Sequence, residues 1–136
     1  MRLIDFHFEK INGEKGEEQI KEFKLQSNID LKEVKSIKDK KSKIEGDILD
    51  IKFGYSVKYS EFAKIELEGK LILRAEEDES KEILKNWKDK KLPDNFKLAI
   101  FNIILAKSNV RALQMEDELK LPYHISLPKL ENKKKE

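Results

Sequence analysis

Between Glu61 and Glu76 apolar and charged residues alternate almost without fault. Ala63, Ile65, Leu67, Leu71 and Leu73 interleave with Lys64, Glu66, Glu68, Lys70 and Arg74. Successive side chains of a strand point to opposite faces, so this pattern demands one covered face and one wet face. A helix would scatter the same residues around its circumference. The stretch therefore predicts a long strand of an antiparallel sheet. Gly69 falls on the apolar face, where it relieves crowding or marks a bend.

Other segments before residue 77 carry the same signal. Leu3 to Ile11 places Ile4, Phe6 and Phe8 on one face and Asp5, His7 and Glu9 on the other. NGEKGEE then reads as a turn or loop. A strand is expected across roughly residues 28–38, residues 17–26 are unassigned, and KDKKSK at 38–43 reads as a polar hairpin or an exposed strand end. From Ile44 the signal strengthens, but Ile44, Gly46 and Ile48 have one parity, and Leu49, Ile51, Phe53, Tyr55, Val57 and Tyr59 the other. That switch implies a bulge, or a strand covered on both faces at that point.

Beyond residue 79 the period changes. Ser80 is a candidate N-cap, with Ile83, Leu84 and Trp87 at helical spacing and Lys88, Lys90 and Lys91 near the end. Leu92-Pro93 breaks this helix, and Asp94 or Asn95 can cap the next. Its expected inner stripe is Phe96, Ile100, Ile103, Val110 and Leu113, while Leu98, Phe101 and Leu105 form a second apolar face, covered by another layer or another subunit. The two Leu-Pro pairs of LPYHISLPKL forbid helix and favour an extended path. Strands followed by helices make an α+β fold: an antiparallel sheet of about four strands, then two helices packed on one face. Residues 1–136 are expected to form one domain, with 131–136 a charged tail.

Composition narrows the chemistry. With no cysteine among 136 residues, disulfides, thiolate nucleophiles and cysteine-based zinc sites are excluded. His7 and His124 are the two histidines and read as structural; Glu76 to Glu79 reads as a solvated turn that favours a helix start. No phosphate loop, nucleophile elbow or HExxH occurs, so no catalytic residue, metal or cofactor is assigned and an enzyme is not expected. Charged residues are 41% of the chain, yet their signs interleave to a net charge of +2. Such a Lys- and Glu-rich surface fits a thermophile, against which a melting temperature below about 60 °C would count. The longest apolar run, Leu98 to Ala106, is about half a membrane span, so no span is expected and a cytoplasmic location is.

Two binding surfaces stand out. Lys35, Lys38, Lys40, Lys41, Lys43, Lys85, Lys88, Lys90 and Lys91 are basic enough to meet nucleic acid, though arginine is scarce. Phe53, Tyr55, Val57, Tyr59 and Phe62 concentrate aromatic surface that either faces the helices or stays open as an adhesive row.

With this order of elements, the chain after about Asn28 resembles the SecB-like chaperone family, in an archaeal-type, remote form. The resemblance is carried by the hairpin DILDIKFGYSVKY and EFAKIELEGKLILRAE, the helix LAIFNIILAKSNVRAL and the ending LPYHISLPKL. It implies a non-catalytic homo-oligomer, dimer or tetramer, whose apolar grooves hold unfolded or extended polypeptide, with a link to protein transport. The client-binding residues it suggests are Phe53, Tyr55, Val57, Tyr59, Phe62, Phe101 and Leu105. The alternative is a small adaptor or nucleic-acid-associated protein using the lysine-rich surface.

Overall fold

The computed structural model describes residues 1–17, 22–37 and 46–130. The fold is α+β, with strands β1 (Arg2–Lys15), β2 (Leu25–Ile37), β3 (Asp47–Tyr59) and β4 (Ala63–Ala75), then helices α1 (Glu77–Trp87) and α2 (Asp94–Glu118). The four strands make one antiparallel sheet in the order β1-β4-β3-β2, so β3 and β4 are central and β1 and β2 are the edges. The segment KDKKSK, Ile44 and the tail 131–136 lie outside the described residues.

The alternating stretch between Glu61 and Glu76 forms β4. Its inward residues are buried down to Ala75, and its outward ones are half-buried beneath their own charged neighbours. The parity switch near Ile48 is not a bulge: β3 runs in unbroken register with β4 from Asp47↔Ala75 to Tyr59↔Ala63. The strand begins at Asp47, so Gly46 precedes it, and Ile48 simply points outward beside Ile37.

The bulges fall in the edge strands instead. In β1 one lies between Leu3 and Asp5, which removes Ile4 from the face shared by Phe6 and Phe8. A second, between Phe8 and Lys10, returns Ile11 to the inner parity opposite Leu67. The expected loop at NGEK is strand as far as Lys15. Gly13 is tolerated there because a β-carbon would meet Leu119 Cδ1 and Met115 Cε at 2.9 Å: the end of α2 packs on the bare backbone. Gly16, just after β1, and Lys24, just before β2, are both tied to the β3–β4 turn, by Gly16 N–H to Phe62 O (2.6 Å) and Ser60 N–H to Lys24 O (2.9 Å).

Helix α1 starts earlier than Ser80. Glu76 is the N-cap, in a capping box with Glu79, and the acidic first turn suits the helix dipole. Ser80 is a buried residue of the helix whose hydroxyl donates to Asp47 Oδ2 (2.8 Å), pinning α1 to the start of β3. The cap of α2 is Pro93 rather than Asp94 or Asn95. Its buried stripe steps by four, Phe96, Ile100, Ile104, Ser108, Ala112, then Met115 and Glu116. Val110, expected inside, is exposed, and Ile103 and Leu113 are only half-buried. Both helices lie on one face of the sheet. The core has two lobes, one under α1 and the start of α2, the other under the end of α2 and Leu121.

Candidate functional site

The aromatic row Phe53, Tyr55, Val57 and Tyr59 points inward from β3 and is buried. A central strand beneath a 25-residue helix has no open inward face, so these four residues are core in the isolated chain. Phe53 packs against Phe6 and Phe8, with ring centroids 5.2 and 6.2 Å away. Phe62 is half-buried in the β3–β4 turn, where Phe23 meets it edge-on at 6.4 Å. Phe101 and Leu105 are half-buried on α2, and Leu98, a turn before, is 67% exposed. Of the seven expected binding residues, only Phe62, Phe101 and Leu105 present surface, and Phe62 lies in the β3–β4 turn rather than on α2.

The phenols of the buried row build a polar lock that sequence reasoning missed. Glu116, fully buried on α2, accepts hydrogen bonds from the Tyr59 hydroxyl, from His124 N–H (3.0 Å) and from His124 Nδ1 (2.8 Å). The Tyr59 hydroxyl also lies 2.6 Å from Pro122 O. The Tyr55 hydroxyl sits 2.8 Å from both Asn109 Oδ1 and His124 Nε2. Three donors converging on one side chain suit a carboxylate, which accepts only. Burial first, and Glu116 second, hold both phenols far above the ordinary tyrosine range. The assembly ties the extended stretch after α2 to helix and sheet at once. His124 is held in this buried network by its backbone N–H and both ring nitrogens. His7 sits exposed on the outer face beside Asp5 (3.1 Å).

A cleft of about 830 Å³ opens between the edge strand β2 and the α1–α2 junction. Ile29 and Leu31 form its floor; Trp87, Leu92 and Phe101 are its apolar walls. Lys90, Lys91, Asp94 and Lys97 stand at its mouth. Lys90 Nζ lies 5.0 Å from the Trp87 ring centroid and Lys97 Nζ 5.7 Å from that of Phe101. Among the described residues β2 pairs only with β3, so its outer edge of N–H and C=O groups is open beside the cleft. Sequence reasoning placed Phe101 in a binding surface and Lys90 and Lys91 in a basic one. It could not join them to Ile29 and Leu31, which lie more than fifty residues earlier.

The sheet's outer face is different in kind. Lys10, Lys64 and Lys70 each have a carboxylate within 3.7 Å, and Lys32 is bonded to Glu68. The hydrogen bond from Lys64 pulls the Glu66 carboxyl below its usual range, and that from Lys32 does so for Glu68. Among the described residues no cluster of three metal-ligating side chains occurs, and no helix is long and apolar enough to cross a membrane.

No family model matches the sequence, and no curated protein matches it either. Among solved structures, the chain is similar to the Mycobacterium tuberculosis Rv1957 SecB-like chaperone, determined in complex with a ChAD peptide from the Rv1956 HigA1 antitoxin. The identity is 13%, the TM-score is 0.48, and the match covers 96% of this chain and 91% of that one. Likeness at that level leaves function to be argued from the site itself.

Proposed function

We propose that the chain is a non-catalytic binding protein that holds unfolded or extended polypeptide in the cleft between β2 and the α1–α2 junction. One observation carries the reading: apolar walls of Trp87, Leu92 and Phe101 stand beside an open strand edge. An extended segment can pair its backbone with such an edge while alternate side chains enter the neighbouring pocket. Phe101 is the expected client residue that lines this cleft, with Leu105 one turn further along α2. The buried members of the aromatic row support the floor without touching the client. In this reading residues 1–136 act as one domain in the cytoplasm. The exposed Leu98 and Val110 on α2 are where copies would meet in a dimer or tetramer.

Trp87 is the only tryptophan, so intrinsic fluorescence reports on the cleft directly. Titration with reduced, carboxymethylated lactalbumin, which stays unfolded, should shift Trp87 emission to the blue and saturate. Phe101→Ala should weaken that binding about tenfold, the loss expected of a central aromatic anchor. Constant Trp87 emission, with no suppression of aggregation, would refute the proposal. Light scattering on the same mixtures gives the oligomeric state.

A further inference from the structure

Around the cleft, cationic side chains outnumber anionic ones. On the outer face, Lys10, Lys32, Lys64 and Lys70 are each answered by a carboxylate of the chain itself. At the mouth of the cleft, Lys90, Lys91 and Lys97 have no carboxylate within ion-pair distance among the described residues. Asp94 lies in the first turn of α2, where the helix dipole favours it. Asp30 and Lys32 also line the cleft; Lys32 is bonded to Glu68 on the outer face, and Asp30 pairs across the sheet with Gly54. With Lys32 neutralised by Glu68, three ammonium groups against two aspartates leave the cleft net positive. Two of them are held over aromatic rings that form the cleft's walls, which seats cation and apolar surface side by side.

A second observation concerns Lys90 alone. It closes α1 in the left-handed region, with φ 59°, donating its N–H to Trp87 O (2.8 Å). Glycine is the unstrained residue at that position of a helix end, and lysine carries a backbone cost that glycine avoids.

Resting on the peptide-binding reading above, we infer that the segment this cleft selects is acidic: aliphatic side chains interleaved with carboxylates that Lys90, Lys91 and Lys97 meet at the mouth. The aliphatic floor of Ile29 and Leu31 suits one set of side chains, and the lysines suit the alternate set.

The test uses the full chain and two fluorescein-labelled unstructured peptides, one with leucines interleaved with glutamates, the other with lysines in place of the glutamates. Fluorescence anisotropy should show the acidic peptide binding about tenfold tighter at low salt. The gap should close toward 1 M salt, where the screening length is about 3 Å. Lys90→Gly should raise the melting temperature, because it removes the strained backbone, yet weaken the acidic peptide roughly fivefold. Lys120→Gly is the control: Lys120 also has a positive φ, of 56°, but is remote from the cleft, so stability should rise with affinity unchanged. Equal or tighter binding of the lysine peptide would overturn the acidic preference while leaving peptide binding intact. Binding of neither peptide would overturn both. Displacement of the acidic peptide by stoichiometric oligothymidylate would assign the lysines to phosphates and overturn the inference in favour of nucleic acid.

Discussion

Replacing Glu116 by alanine tests whether the polar lock holds the end of the chain to the fold. The substitution strands the His124 N–H and Nδ1, both bonded to the carboxylate at 3.0 and 2.8 Å, whereas the Tyr59 hydroxyl retains Pro122 O at 2.6 Å. A buried donor left without a partner costs about 1–3 kcal/mol, so two of them cost about 2–6 kcal/mol. Alanine's better helix propensity returns roughly 0.5 kcal/mol. The expected loss is about 3 kcal/mol, a large share of the roughly 5–15 kcal/mol that stabilises an ordinary domain. Urea unfolding followed by Trp87 emission reads it well, because Trp87 lies in the other lobe of the core and reports global unfolding. The midpoint should fall with the slope unchanged. His124→Ala should cost a similar amount, and the double variant should cost less than the sum by at least about 1 kcal/mol, since both remove the same bonds. A loss below about 1 kcal/mol for Glu116→Ala, or strict additivity, would refute the lock.

Gly69→Ala should unfold the chain or cost more than about 3 kcal/mol in denaturant midpoint, because the new β-carbon would strike His7 O across the β1–β4 pair and the Phe53 ring at 3.0 Å. Alkaline stability should fall steeply: Tyr55 and Tyr59 hold their protons more tightly folded than unfolded. Their contribution is therefore intact below about pH 10 and is lost as the pH climbs beyond it toward the folded values, at about 1.4 kcal/mol per pH unit for each tyrosine. A denaturation midpoint flat from pH 9 to 11.5, or a Tyr59→Phe variant with the same alkaline slope as the parent, would count against it.

The strands were legible where alternation was strict. β4 and the inward parity of β3 could be read directly, because charged residues cannot share a face with Leu and Ile in a covered layer. The edge strands were less so: two bulges in β1 move Ile4 out of line with Phe6 and bring Ile11 into it, and only the pairing with β4 reveals this. On α2 the apolar pattern misled, since two of its buried positions are Ser108 and Glu116, polar residues that look outward-facing without Tyr59 and His124 in view. The aromatic row was recognised, but whether it faced the helices or solvent depended on what lies above β3. The cleft depended on a meeting of β2 with the α1–α2 junction, which no local pattern encodes.

The strand order has a consequence for how the chain comes into being. Hydrogen-bonding partners of β1 lie in residues 63–75, and its opposite neighbour in sequence, β2, ends up on the far edge of the sheet. As the polypeptide leaves the ribosome, the first strand therefore waits, with Phe6 and Phe8 bare, until β3 and β4 have formed their hairpin against β2. Until β4 has been made, about sixty residues later, β1 is an unpaired, aromatic-bearing segment of the kind the finished cleft is proposed to hold.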